Sequence, residues 1–509
     1  MTHNSKTHQV TLDFYTLNNL RKIVKTIPKL ELHPDVAVKI EAGARFVLEK
    51  AAEDRYIYGT NTGFGSLCET RVENEEMEML QFNHVVSHAV GVGEIVPEKL
   101  SRLMLFVKLL TFRTGHTGIS MAPVQRLIDM WNNDIIPAIP KKGTVGASGD
   151  LAPLAHMALP LLGLGKVHYK GKVVESAGVL QEMGWEPLRL KPKEGLALTN
   201  GVQYINARGA LALMRIEEMV KTADLFAAMS SQAFSTSETF YQAPYHETTY
   251  HPERKTVAAN FRKVLEGSNH YQLPTCNKSK QDPYSFRCIP QVHGAIRQAV
   301  KFAIDIIEKE CNGVSDNPLF FPESNQILFG GNLHGESTAL ALDFVAMATS
   351  EMAYISERRT YQLLSGMRGL PDFLVNQPGL NSGFMIVQYT AAALMNENKV
   401  LCTPASIDTI PTCQLQEDHV SMGGTSSYKL ETIVDNAEYI LGIELLTAVQ
   451  AIDFNEPLKL SPMTQQLYDE FRQHFTFMER DRVMSDDMER ARVYCAENRA
   501  KWIEQFGLA

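Results

Sequence analysis

Four stretches after Asn200 limit what this chain can fold into more than any other feature of it. Residues 207–226, 292–307, 339–355 and 430–446 each carry apolar side chains at spacings of three and four, the period of one helical face. In the third, Ala339, Val345, Ala348, Met352 and Ile355 mark that face; in the fourth, Leu430, Ile433, Val434, Ala437, Ile440 and Leu441 do. Polar residues are confined to narrow stripes. Such helices belong in the middle of a bundle or at a subunit interface, and the patterns alone leave both open. The expected fold class is mainly α, a long helical bundle. The first two hundred or so residues read differently. Short apolar helical segments alternate there with Gly-rich loops at 58–65, 91–93 and 143–149, and VHYKGKVV at 167–174 alternates about Lys170-Gly171 as a hairpin does. A boundary near residue 205 therefore divides a smaller mixed region, 1–205, from a long-helix region, 206–509. Residues 266–282 (EGSNHYQLPTCNKSKQD) hold no apolar period, and a loop that long is either a lid over a site or a passive surface excursion.

Composition excludes several functions. A chain of 509 residues can bury such a core without disulfides or metal. Its 58 acidic and 49 basic side chains leave a formal charge of −9, with no long basic run, so nucleic acid and anionic membrane are poor partners. The most apolar stretch, 151–165, is too short to span a bilayer and is interrupted by Pro153 and Pro160. The first residues, MTHNSKTHQV, lack the apolar core of a signal peptide. Seven scattered cysteines without a CxxC fit free thiols in a reducing compartment. The expectation is a cytoplasmic enzyme or a large binding protein.

The richest chemistry lies at 143–154, GTVGASGDLAPL, where three glycines surround one serine ahead of an apolar helix. A serine nucleophile elbow needs glycine two residues after the serine, where Asp150 stands, and a phosphate loop needs a Gly-Lys-Ser/Thr that is missing. What spacing leaves is a helix capped by Ser148 or Asp150. However, Gly-Ala-Ser-Gly-Asp-Leu-Ala-Pro-Leu-Ala-His resembles the signature of the aromatic amino acid ammonia-lyases. In that family the Ala-Ser-Gly at these positions, here Ala147, Ser148 and Gly149, cyclises unaided to 4-methylidene-imidazole-5-one (MIO). The Gly149 amide nitrogen attacks the Ala147 carbonyl at a range that a missing Cβ permits, and loss of water from Ser148 leaves an electrophilic methylene.

Further motifs follow in family order from about residue 10 to residue 454. YGTNTGFG at 58–65 is similar to the family's YGxNTGFG loop; read alone it is a Gly-rich turn around a buried aromatic. The resemblance implies that Tyr58 is the base that removes the substrate β-proton, which requires an electropositive neighbour to lower its pKa. In FNHVVSHAVG at 82–91, Met79, Phe82, Val86 and Ala89 form an apolar helical face, and Gly91 and Gly93 end the helix. His84 and His88 are four apart, as in some zinc sites, but neither an HExxH order nor a third ligand accompanies them, and no metal is expected. Ser87-His88 looks like the histidine-selective branch, with His88 facing a substrate imidazole. LALTNG at 196–201 resembles LALxNG, implying that Asn200 contacts the MIO carbonyl region and substrate. QDPYSFRC at 281–288 looks like QDxYSxR, implying that Arg287 clamps the substrate carboxylate, with Gln281 and Tyr284 beside it.

QLQEDHVSMG at 414–423 separates the branches best, because the histidine type carries Glu-Asp-His after Gln416. Glu417 can pair with an imidazole and would have no such partner on a phenyl ring. GGNLHG at 330–335 resembles GGNFHG but has Leu333 where the family usually has Phe, which enlarges the pocket; Thr412-Cys413-Gln414-Leu415 also departs from the family's usual residues. The segments 356–359 and 381–385 match as scaffold. The resemblance implies the ammonia-lyase (fumarase/aspartase-like) fold, a homotetramer whose active sites are shared between chains, and conversion of L-histidine to trans-urocanate and ammonia. It also implies that no external cofactor or metal is needed. The alternatives are the same chemistry on tyrosine or phenylalanine, a 2,3-aminomutase, a non-catalytic helical scaffold and, more distantly, a zinc hydrolase using His84 and His88.

Overall fold

All four long patterns are helices in the structure, a computed structural model that describes residues 4–53, 56–276 and 281–509. Each is longer than its apolar stretch: Gln203–Ala233, Ile289–Asn312, Glu336–Leu363 and Gly423–Asp453. The chain forms two compact units. One comprises Met1–Leu211, Ile304–Asp343 and Pro404–Tyr428; the other comprises Ala212–Ala303, Phe344–Thr403 and Lys429–Ala509.

The first unit is the mixed one. Strand Asn4–Val10 pairs in parallel with Pro28–Leu32 across the helix Leu17–Thr26. Thr16 and Asn19 cap that helix reciprocally, each side chain accepting the other's backbone N–H. Helix Glu98–Phe112 is buried on all sides from Leu100 onward. The hairpin forms where the alternation predicts it: Lys166–Tyr169 pairs with Lys172–Glu175, Val167 opposite Val174. Lys170 and Gly171 lie at φ +49° and +76°, the two left-handed residues that a tight hairpin turn requires.

In the second unit Leu430, Ile433, Val434, Ala437, Ile440 and Leu441 are all buried, and so are Asn436, Glu438 and Glu444 on the same helix. A buried carboxylate must have its lone pairs filled. Glu444 accepts from Arg359 at 2.5 and 2.8 Å and from the hydroxyls of Ser230 and Ser356 at 2.8 and 2.6 Å. Asp224 is held by His293, Arg297 and Asn260 at 2.7–2.8 Å. Paired in this way, the stripes belong to a bundle interior. Ser382 and Gly383 donate their N–H groups to Asp481 at 2.7 and 2.8 Å, as a scaffold segment would. Within the 266–282 stretch, Ser268 and Asn269 are bonded to Lys459 and Pro457, and His270 is fully buried. That part is packed structure, while residues 277–280 lie outside the described residues.

One expectation is corrected. On helix Met77–His88 the buried residues are Met77, Gln81, His84 and Val85, whereas Met79, Phe82 and Val86 are exposed. Hydrogen bonds decide the orientation: Gln81 donates to Gly59 O and accepts from Gly195 N–H, and His84 bonds Thr199 at 2.8 Å. The helix ends at His88, ahead of the glycines. Among the described residues no helix is long and apolar enough to cross a membrane, and all seven cysteines are free.

Candidate active site

In the first unit the loop 146–149 closes on itself, Gly146 bridging Gly149, and Gly149 also pairs with Gly201. Gly149 has φ +74°, and a Cβ there would stand 2.2 Å from Gly201 O and 2.9 Å from Leu333 O. Only glycine fits. Gly201 O in turn accepts the Asp150 N–H at 2.6 Å. Asp150 does occupy the N-cap of helix Leu151–Ala158, but its side chain makes no capping bond; it accepts from Ile205 N–H at 3.0 Å instead. Burial raises its carboxyl pKa to about 7.

The Asn200–Gly201 side of this contact is held by buried charge. Lys108 donates to Asn200 O at 2.5 Å, and burial lowers its pKa to about 7. Lys193 bonds both oxygens of Asp316 at 2.9 and 2.8 Å. Asn200 Nδ2 donates to Asp316 and to Asn317 O at 3.0 and 3.1 Å. Both are acceptors only, which fixes the amide's orientation and leaves Asn200 Oδ1, buried and without a partner, as a free acceptor.

A cavity of about 430 Å³ opens against the loop. Its wall includes Tyr58, Ala147, Ser148, Asn200, Leu333, Gln416 and Glu417. Ser148 Oγ donates to Glu417 Oε1 at 2.6 Å, and Thr412 Oγ1 donates to Oε2 at 2.8 Å. The turn before Glu417 is strained, with Cys413, Gln414 and Leu415 all at φ between 50° and 71°, and such outliers concentrate at functional sites. Tyr58 OH accepts the Gly65 N–H at 3.0 Å, but burial, with Glu417, Cys413 and Cys68 nearby, raises its pKa. The surroundings within the chain thus oppose, rather than supply, the lowering that a tyrosine base needs.

His88 is not among the residues lining the cavity. Burial lowers its pKa, while the His84 carbonyl and Glu417 act in the opposite sense. Its Nδ1 meets His84 O at 2.7 Å, so Nδ1 carries the proton and Nε2 is a bare acceptor in the neutral ring. His84 is buried against Phe64 and His88 with its ring bonded to Thr199, the arrangement of a packed histidine.

The structure therefore brings together Tyr58, the Ala147–Gly149 loop, Asn200, Leu333, Gln416 and Glu417, while His88 is tied to them only through the charge of Glu417. Gln281, Tyr284 and Arg287 belong to the second unit and are not among the residues lining this cavity. Arg287 stacks over the Tyr284 ring at 4.4 Å, and Tyr284 is 68% exposed. Sequence reasoning did not anticipate Lys108, Lys193 and Asp316. The lone lysine in the apolar run LMLFVKLLTF was the one visible signal for them.

Residues 15–473 match the family model described as aromatic amino acid lyase. The histidine ammonia-lyase of Burkholderia cenocepacia is 44% identical over 474 residues, covering 93% of this chain and 94% of its own. Among solved structures, histidine ammonia-lyase from Trypanosoma cruzi superposes with a TM-score of 0.91 at 36% identity, covering 98% of this chain and 96% of that one. The tyrosine aminomutase of Streptomyces globisporus does so with 0.92 at 33%, covering 98% of each. A Gly149 that admits no side chain, a serine bonded to a carboxylate in the cavity beside it, and likeness along nearly the whole chain agree: the protein belongs to the aromatic amino acid lyase family.

Proposed function

We propose that this protein is a histidine ammonia-lyase, removing ammonia from L-histidine without oxidation to leave trans-urocanate. The observation that carries the choice of substrate is Glu417, a carboxylate in the cavity wall with His88 close enough to feel its charge. A phenyl ring gives that charge no partner, whereas an imidazole gives it an N–H. The relatives named histidine ammonia-lyase support the same reading.

The loop fits the MIO group. Gly149 is pinned where a Cβ would collide, and the Ser148 hydroxyl, the oxygen to be lost as water, already donates to Glu417. Ala147, Ser148 and Gly149 would form the group, which when present supplies the electrophile that lets the amine depart. The remaining work falls to side chains. Tyr58 takes the β-proton, and the positive charge its pKa requires comes from the substrate ammonium or from another chain. Asn200 Oδ1 accepts from the substrate amine or the loop, His88 Nε2 accepts the second N–H that a protonated substrate imidazole carries beside the one given to Glu417, and Gln416 and Leu333 shape the wall. Arg287, with Tyr284 and Gln281, fixes the substrate carboxylate from a neighbouring subunit of a homotetramer. Positioning and charge placement of this kind lower the barrier. The enzyme needs no external cofactor and works in the cytoplasm, with regions 1–205 and 206–509 as its loop-bearing and long-helix parts.

Ser148→Ala tests the chemistry. Turnover should vanish while fold and assembly persist, and the wild-type peptide spanning 147–149 should be lighter by two waters where the variant's is not. Wild-type rates in the variant contradict the proposal. The likeness to tyrosine aminomutase supports a second reading, a mutase, which a β-amino acid product would identify.

A further inference from the structure

His334 and His419 line the cavity and Glu336 lies beside them, and the reaction above uses none of the three. His334, Glu336 and His419 each present a ligand atom, and these atoms all lie within 4.8 Å of one another. We propose that they form a binding site for a divalent ion of the zinc class.

Donor chemistry selects the ion. Two imidazoles and one carboxylate suit borderline metals, whereas magnesium and calcium prefer all-oxygen sets. Ligands on a tetrahedral ion with bonds of about 2.1 Å sit about 3.4 Å apart, so closing the site requires side-chain shifts of only about 1–1.5 Å. Three further observations point the same way. His334 Nε2 faces the His419 carbonyl at 3.1 Å, so Nε2 holds the proton and Nδ1 keeps a bare lone pair; a backbone carbonyl on the far nitrogen is the usual support of a metal-bound histidine. Glu336 Oε2 is a buried atom with no hydrogen bond, 3.8 Å from His419 Nε2. The two imidazole rings are parallel within 3°, with centroids 5.6 Å apart. A bound ion ties His419, which follows Glu417 on the strained turn, to the start of helix Glu336–Leu363 and so holds Glu417 in place. This site is separate from His84 and His88.

The test is uptake of zinc chloride by the metal-stripped full-length protein, read by calorimetry and elemental analysis, with X-ray absorption at the zinc edge. One equivalent per chain is expected, in a shell of two imidazole nitrogens and at least one carboxylate oxygen. Glu336→Gln and His419→Ala should each weaken uptake at least tenfold, and His88→Asn should leave it within twofold. Sub-stoichiometric uptake, a shell without two imidazoles, or uptake undiminished in both variants overturns the site. These readouts do not depend on which amino acid the enzyme consumes.

Discussion

Gly149→Ala separates two costs that the structure makes distinct. Gly149 and Gly171 share nearly the same backbone angle, φ +74° and +76°, but a Cβ at Gly171 meets nothing within 4 Å, whereas at Gly149 it meets Gly201 O at 2.2 Å and Leu333 O at 2.9 Å. A left-handed non-glycine residue costs roughly 1–2 kcal/mol wherever it sits, so Gly171→Ala measures that strain alone. At Gly149 at least one neighbouring carbonyl must retreat by close to 1 Å. Gly201 O is held by Asp150 N–H, and its neighbour Asn200 O is held by buried Lys108. Overpacking against a backbone that cannot yield adds about 1–3 kcal/mol. With about 2–4 °C of melting temperature per kcal/mol for a unit of this size, Gly171→Ala should melt a few degrees below wild type and Gly149→Ala roughly one and a half to four times as far below it. Thermal scans at matched rates and concentrations supply the comparison. Equal shifts in the two variants would refute the claim that the 146–149 loop is clamped from both sides.

Three other outcomes follow from the same structure. Arg359→Met strips Glu444 of the guanidinium that bonds both its oxygens and should cost about 3–5 kcal/mol in urea unfolding, much of it recovered when Glu444→Gln is added. Burial holds His270 at a pKa of about 4, so the unfolded chain binds the extra proton first; stability should fall by about 3 kcal/mol as pH drops from 6.5 to 4, and His270→Gln should flatten that slope. Glu417→Gln replaces a charged acceptor, whose bond is worth about 1.5–3 kcal/mol, with a neutral one worth about 0.5–1.5 kcal/mol, so kcat/KM for histidine should fall roughly five- to tenfold while any tyrosine turnover stays level.

What the sequence made legible was whatever is periodic or local. The four long helices announced themselves through spacings of three and four, and the Lys170-Gly171 hairpin through alternation. Pairings distant along the chain were not legible. Nothing local says that Arg359 meets Glu444, 85 positions on, or that Ser148 meets Glu417, 269 positions on. For the same reason the buried face of helix Met77–His88 is not the apolar one: Gln81 and His84 are buried because Gly195 and Thr199 satisfy them. The motifs assign Tyr58, Ser148, Asn200, Leu333, Gln416 and Glu417 to one site with His88, Gln281, Tyr284 and Arg287, of which the first six line one cavity, but they do not reveal that burial and nearby charge push Tyr58 away from basicity. They named His334 and His419 only as parts of strings; it took the fold to stack those rings beside Glu336.

The most direct measurement is to give the purified protein L-histidine, L-tyrosine and L-phenylalanine in parallel, following ultraviolet absorbance and released ammonia. The account predicts urocanate and equimolar ammonia from histidine, with tyrosine and phenylalanine left unchanged. Coumarate or cinnamate in place of urocanate would contradict the reading of Glu417 and His88, and a β-amino acid without free ammonia would replace the lyase with a mutase.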